Sequence, residues 1–144
     1  MNKNKIIIGS DHGGFELKNS IMNYLDKNNS YIVENIGTYG GLKCDYPDIA
    51  HKLCKKVIEE KCLGILICGT GIGISIAANK NRGIRCALCN NQYMAKMARK
   101  HNNANVLALG GRVIGNELAK DIVETFLNNT FENGRHINRI NKIE

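Results

Sequence analysis

The sequence predicts an α/β fold, a three-layer α/β/α sandwich in which helices cover both faces of a parallel sheet. Short apolar runs alternate with longer amphipathic segments along the 144 residues. The runs lack a polar–apolar alternation, as is typical of strands covered on both faces. The repeated order of strand and helix indicates parallel strands with right-handed crossovers. The length suits one such core and not two, so we expect residues 1–144 to form a single domain.

Five apolar runs are the predicted strands of this sheet. They cover Lys5–Gly9, Tyr31–Ile36, Gly64–Cys68, Arg85–Cys89 and Asn105–Leu109. Five is a usual number of strands for one sheet, so no second sheet is needed to accommodate them.

The segments between and after these runs are the predicted helices. They cover Phe15–Lys27, Pro47–Glu60, Gly73–Asn79, Gln92–His101 and Asn116–Leu127. The first has an apolar face at helical spacing, formed by Phe15, Ile21, Met22 and Leu25. The corresponding face of the second is formed by Ile49, Leu53, Val57 and Ile58. Pro47 suits the first turn of that helix, and Asp48 complements the helix dipole.

The chain carries 20 basic and 13 acidic residues, which gives a net charge of +7. The basic residues are dispersed, so a small phosphorylated ligand accounts for them as well as nucleic acid does, and we expect no nucleic acid partner. No apolar run approaches the roughly 20 residues that cross a bilayer, so we expect no membrane partner. The run Ile6–Ile8 is too short for a secretory signal, which favours a cytoplasmic protein.

Six cysteines stand at positions 44, 54, 62, 68, 86 and 89. Without a secretory signal, we expect reduced thiols rather than disulfides. Cys86 and Cys89 form a C-x-x-C, but no second cysteine pair or histidine pair at ligand spacing completes a zinc site. The motif lies in a predicted strand, where positions three apart face opposite sides. We therefore expect two buried strand cysteines and no metal.

Side chains that can take part in catalysis or ligand binding stand at the ends of three of the predicted strands. Asp11 and His12 follow the first strand, Cys68 ends the third, and Arg112 follows the fifth. In Rossmann-like folds, ligands bind outside the carboxyl ends of the strands, where the strand order reverses. We therefore expect the functional site at this edge of the sheet.

The third strand leads into CGTGIGIS, which has glycines at positions 69, 71 and 73. Glycines let backbone N–H groups approach a ligand, and the free N–H groups of the following helix complete an anion cradle. The loop has neither the lysine of a nucleoside triphosphate loop nor the dinucleotide fingerprint. The helix dipole favours a thiolate at Cys68, which would act as a nucleophile or a general base. On residue chemistry alone, an inert buried cysteine at the end of a strand explains Cys68 equally well.

Six segments stand out in order over nearly the whole chain: SDHGGFELK, DYPDIA, ILICGTGIGISIAANK, GIRCAL, RKHNNANVLALGGRVIG and GRHINRI. Together they resemble the type B ribose-5-phosphate isomerases, a family that also includes the galactose-6-phosphate isomerase subunits. The resemblance implies an enzyme that interconverts aldose and ketose phosphates through a cis-enediolate, without a metal or an organic cofactor.

The resemblance also implies roles for the matching residues. Cys68 matches the base that moves a proton between C1 and C2, and His101 matches the acid that opens the sugar ring, with Asp11 near the ring oxygens. The groups that hold the enediolate oxygens correspond to Thr70 and the backbone of Gly69, Gly71, Ile72 and Gly73. Substrate contacts correspond to Tyr46 and Asn102, and the phosphate clamp to His12, Arg112, Arg135 and Arg139. His51 and His136 have no such context, and we expect both at the surface.

Members of this family are dimers with shared sites, so the resemblance implies a homodimer or a pair of dimers. One subunit would supply Asp11, His12 and Cys68, and the other His101, Asn102, Arg112, Arg135 and Arg139. Residues 130–144 would form an appendage that reaches the partner. An isomerase of a six-carbon sugar phosphate, a non-catalytic phosphate-binding module and a redox or metal protein built on Cys86 and Cys89 stay as alternatives.

Overall fold

The computed structural model describes residues 4–144, so residues 1–3 of the predicted domain lie outside the described residues. Five strands form one sheet: β1 Lys5–Ser10, β2 Ile32–Asn35, β3 Leu63–Cys68, β4 Cys86–Leu88 and β5 Val106–Gly110. They lie in the order β2-β1-β3-β5-β4, and every neighbouring pair is parallel. The predicted five-stranded parallel sheet is confirmed.

Within residues 4–144, six α-helices accompany the sheet: α1 Phe15–Asn28, α2 Tyr46–Glu60, α3 Ile72–Ala78, α4 Gln92–Lys100, α5 Asn116–Leu127 and α6 His136–Asn141. The five predicted helices are found with ends that differ by at most one residue. Apolar residues of α1, α4 and α5 pack on one face of the sheet, and those of α2 and α3 pack on the other. This arrangement is the predicted three-layer sandwich.

The continuous apolar character of the strands follows from this double coverage. Ile6 and Ile8 belong to the core under α1 and α5, whereas Ile7 belongs to the core under α2.

The expected apolar face of α2 was wrong at Ile58, which is 43% exposed. The buried residues of α2 are Ala50, Leu53, Cys54 and Val57. Ile58 lies outside this stripe because it is turned by roughly 100° from Val57 around the helix.

Lys18 is a buried cation on α1 that the sequence did not reveal as such. Its side chain is fully buried, and its Nζ donates hydrogen bonds to Asn35 Oδ1 at 3.0 Å and to the carbonyl of Thr38 at 2.5 Å. Burial lowers the pKa of Lys18 from its ordinary value. The lysine thereby ties α1 to the loop that leads from β2 to Tyr46.

The strand order reverses between β1 and β3, because β2 lies to one side of β1 and β5 to the other side of β3. In a sheet of this kind, that reversal opens a crevice at the carboxyl ends of the two strands. Asp11 follows β1 there and Cys68 ends β3. None of the helices in residues 4–144 combines the length and the apolar character that crossing a bilayer requires.

Candidate functional site

Three loops meet at the carboxyl edge of the sheet, after β1, β3 and β5. The N–H of Gly111 donates to the carbonyl of Cys68 at 2.8 Å, and the N–H of Arg112 donates to the carbonyl of Gly69 at 2.9 Å. The β1 loop packs against both others, since a Cβ on Gly111 would lie 2.7 Å from the carbonyl oxygen of Gly13, and a Cβ on Gly13 would lie 3.0 Å from the nitrogen of Gly69. The glycines are therefore required for the close approach of the loops.

Cys68 lies at the centre of this edge and is 5% exposed. Its Sγ accepts a hydrogen bond from the N–H of Gly71 at 3.1 Å. Gly71 has a φ of +80°, and a Cβ there would lie 2.5 Å from Leu88 Cδ1. This hydrogen bond holds the sulfur against the backbone of the glycine loop. The loop thus places the Cys68 sulfur beside a backbone N–H donor.

Three other predicted residues, Asp11, Thr70 and Tyr46, lie on the segments that form this edge. Asp11 is 7% exposed, and its Oδ1 accepts the N–H of Gly14 at 3.2 Å. Thr70 is exposed, and its Oγ1 accepts a backbone N–H from the first residue of α3 at 3.1 Å. The ring of Tyr46 covers the end of the glycine loop, since a Cβ on Gly73 would lie 2.6 Å from Tyr46 Cζ. The glycine at position 73 therefore makes room for the tyrosine.

Arg112 lies on this same edge, which corrects the expectation that it accompanies His101. Its Nη1 is 3.1 Å from the position that a Cβ on Gly69 would take. It also lines a cavity of about 410 Å³ together with His12, Gly13 and Gly41. Arg112 directly follows β5, which pairs with β3, so the fold places it beside the glycine loop of its own chain.

His101 lies at the opposite edge of the sheet. It caps the end of α4 and precedes β5, whereas Cys68 is aligned with Gly110 at the far end of β5. The length of β5 from Val106 to Gly110 separates the two edges by about 13 Å. Asn102 is exposed beside His101, and Arg135 and Arg139 are exposed on the segment that follows α5. One chain therefore carries two separate groups of predicted site residues.

His136 is buried, so the expectation of a surface histidine was wrong. His136 as a whole is 6% exposed, and its ring stacks on that of His101 with the ring centroids 4.2 Å apart. Glu132 Oε1 lies 3.4 Å from His101 Nε2 and 3.5 Å from His136 Nε2. Burial lowers the pKa of His136, and the charges of His101 and Arg135 lower it further. In the sequence, the four-residue spacing of Glu132 and His136 was the available indication that these two side chains are in contact.

The remaining histidine and the C-x-x-C motif take no part in either group. His51 is exposed and contacts the Asn81 side chain, as expected for a surface residue. Cys86 lies in β4 and is partly buried, whereas Cys89 follows the strand and is fully buried. Burial raises the pKa of the Cys89 thiol to about 12, which disfavours a redox or metal role for the motif.

Comparison with known proteins agrees with this architecture over nearly the whole chain. The Ribose/Galactose Isomerase family matches residues 6–143. The ribose-5-phosphate isomerase B of Clostridium thermocellum is 55% identical, with a TM-score of 0.93 over 96% of this chain and 94% of that chain. The ribose-5-phosphate isomerase B of Escherichia coli is 46% identical over 96% of this chain and 93% of its own length. The D-erythrulose-4-phosphate isomerase of Pectobacterium atrosepticum is 45% identical over 96% and 91%. The chain therefore belongs to the ribose/galactose isomerase family and is an isomerase of the aldose–ketose class.

Proposed function

We propose that the protein interconverts ribose 5-phosphate and ribulose 5-phosphate through a cis-enediolate. The observation that carries the proposal is the Cys68 sulfur, held 3.1 Å from the N–H of Gly71 at the mouth of a glycine loop. In the open-chain aldose, the thiolate takes the proton from C2, and the C–H electron pair moves toward the carbonyl to give the enediolate. After the O2 hydroxyl proton has moved to O1 within the enediolate, the resulting thiol returns its proton to C1, and the electron pair on O2 forms the C2 carbonyl of the ketose. This proton transfer requires neither a metal nor an organic cofactor.

The glycine loop would stabilise the charge that develops on the enediolate oxygens. The N–H of Gly71 lies 3.1 Å from the sulfur, and the Thr70 hydroxyl is oriented within the same loop by the N–H of Ile72. Preorganised donors of this kind typically lower a barrier by several kcal/mol, about 3 kcal/mol for a single donor. His12 and Arg112, which line the adjacent cavity, would bind part of the phosphate.

A second subunit would complete the site. His101, Asn102, Arg135 and Arg139 lie at the edge of the sheet opposite to Cys68, so within one chain they cannot reach the same sugar. In a two-fold dimer, the amino edge of one chain can face the carboxyl edge of the other, and each contact occurs twice. His101 of the partner would then open the sugar ring, and both arginines would complete the phosphate clamp.

An exposed apolar rim supports such a dimer. The rim consists of Ile72, Ile76, Tyr93, Met94, Val113 and Leu118. These side chains lie on α3, on the first turns of α4 and α5, and on the loop after β5. All of these segments follow the carboxyl ends of neighbouring strands, so the rim borders the glycine loop. A rim of six exposed apolar side chains beside an incomplete site favours contact with a second copy of the chain.

Substrate length is the open choice within the family, since one relative is named for a four-carbon sugar phosphate. A coupled assay that compares aldose or ketose phosphates of four, five and six carbons tests the proposal directly. We expect the highest kcat/KM for ribose 5-phosphate. A higher value for a six-carbon or four-carbon substrate would replace the assignment but keep the mechanism. Binding of all of these without turnover would instead indicate a non-catalytic phosphate-binding module.

A further inference from the structure

We propose that His101, Glu132 and His136 bind a divalent ion of the zinc type, and that the bound ion inhibits the isomerase. Each residue offers one ligand atom, and these three atoms lie within 4.8 Å of one another. Two imidazole nitrogens and one carboxylate oxygen, with a position left for water, form a common ligand set for Zn²⁺. The inhibition rests on the proposed function, because it assumes that His101 is the ring-opening acid, whereas the binding does not.

The buried nitrogen of His136 is the second observation that points to a ligand. His136 is 6% exposed, and its Nε2 makes no hydrogen bond, since the nearest acceptor, Glu132 Oε1, lies 3.5 Å away without hydrogen-bond geometry. Leaving a buried polar atom unsatisfied costs about 1–3 kcal/mol, so native structures rarely retain one without a reason. A metal ion between His136 and Glu132 would satisfy this nitrogen and the carboxylate together.

The backbone holds two of the three ligands in place before any ion arrives. The N–H of Glu132 donates to the carbonyl of Lys100 at 3.0 Å, which fixes the segment after α5 against the end of α4. The N–H of His136 donates to the carbonyl of Asn133 at 3.3 Å. Pre-positioned ligands lose little conformational freedom on binding, which raises the affinity of a site.

His101 is the ligand that would have to move. Its ring and that of His136 are nearly parallel, with an interplanar angle of 16°, so their nitrogens lie side by side rather than converging on one point. The side chain of His101 is 37% exposed, against 7% for His136, so His101 is free to turn. A turn of this ring brings its Nε2 toward an ion about 2.0–2.1 Å from each nitrogen. The same turn would remove His101 from ring opening.

Cations surround the cluster and determine which ions it would accept. Lys100 Nζ lies 3.9 Å from Glu132 Oε2, and the neighbouring Arg135 and Arg139 add positive charge. A hard ion such as Mg²⁺ relies on oxygen ligands and would find only one carboxylate here, too little to offset this positive charge. Zn²⁺ forms strong bonds to neutral imidazole, so it would still bind.

Calorimetry with Zn²⁺ on the chelator-treated full-length protein tests the binding. We expect one ion per chain, no heat with Mg²⁺, and an affinity at least about 10-fold lower in both Glu132→Gln and His136→Gln, since even outer-shell changes cost that much. His51→Gln, which changes an exposed histidine outside the cluster, should bind like the wild type. Glu132 is 45% exposed, so Glu132→Gln is expected to fold even if His136→Gln does not.

The six cysteines are the competing ligands, and Co²⁺ distinguishes them. We expect a cobalt spectrum without the sulfur-to-metal band that thiolate ligation produces. That band, or wild-type zinc affinity in both cluster variants, or no zinc binding in the wild type, would overturn the site. Zinc inhibition should weaken in Glu132→Gln in parallel with binding. If zinc binds at the cluster but no sugar phosphate is turned over, the proposed function fails and the metal site stands.

Discussion

Cys68 and His101 lie at opposite edges of the same sheet, because one ends β3 and the other precedes β5. Mixing two inactive variants tests whether they act in one shared site. When Cys68→Ala and His101→Ala are unfolded and refolded together in equal amounts, about half of the dimers are mixed. Each mixed dimer has one doubly defective site and one intact site. We expect roughly a quarter of the wild-type activity. Zero recovery, with mixed dimers confirmed by mass spectrometry, would exclude the shared site.

Replacing the sulfur should abolish proton transfer without abolishing binding. In Cys68→Ala, we expect turnover to fall by about 10²–10⁴-fold, since this is the usual contribution of a positioned base. Ligand binding, measured by calorimetry with the sugar phosphate, should survive because the proposed phosphate contacts, His12 and Arg112, are separate from the sulfur. Cys89→Ala removes another buried cysteine and controls for lost packing. Near-native turnover of Cys68→Ala would exclude the sulfur as the base.

The arginine at position 139 should contribute to phosphate binding despite its exposure in the single chain. In Arg139→Ala, we expect inorganic phosphate to inhibit roughly 30-fold more weakly, which corresponds to about 2 kcal/mol for truncating one charged partner in a solvated clamp. Lys52→Ala removes an exposed cation of α2 and should leave the inhibition constant unchanged. An unchanged constant in Arg139→Ala would identify Arg139 as a surface charge only.

The glycine loop should tolerate no side chain at position 71. Gly71 has a φ of +80°, and its Cβ would lie 2.5 Å from Leu88 Cδ1, so Gly71→Ala combines backbone strain with overpacking. We expect the free energy of unfolding, measured with urea, to fall by about 2–4 kcal/mol. Gly115→Ala is the matched control, because nothing lies within 4 Å of its Cβ position. Equal stability of the two variants would contradict the packing described for the loop.

The ion pairs of Glu34 predict how stability changes in acid. Lys5 and Lys56 each lie 2.8 Å from the Glu34 carboxylate, and their hydrogen bonds lower its pKa below the ordinary value of 4.5. A lowered carboxyl pKa stabilises the folded state above the unfolded value, and this stabilisation is lost as the pH falls through the folded pKa. The stability difference between wild type and Glu34→Gln should therefore be largest near neutral pH and vanish in acid.

Unfolding of both proteins in urea at several pH values measures that difference. Glu59→Gln, which changes an exposed carboxyl of α2, serves as the control. A difference between wild type and Glu34→Gln that stays constant from neutral to acid pH would show that the pairs with Lys5 and Lys56 do not depend on the charge of Glu34.

The sequence by itself determined the elements and the close backbone packing at the carboxyl edge. Apolar runs and helical periodicity depend on local properties of the chain, so the five helices were predicted to within one residue at each end. The glycines at 69, 71 and 73 directly after a strand indicated close backbone approach, and the structure shows it around Cys68.

Only the tertiary structure decided which residues meet. The strand order places Arg112 beside Gly69 and puts His101 at the other edge, and neither follows from spacing along the chain. The burial of Lys18 and His136 depends on partners that are distant in sequence, Asn35 for the lysine and His101 for the histidine. A local pattern records which face of an element is apolar. It does not record which polar group a neighbouring element will supply, because long-range contacts form only when the sheet brings those elements together.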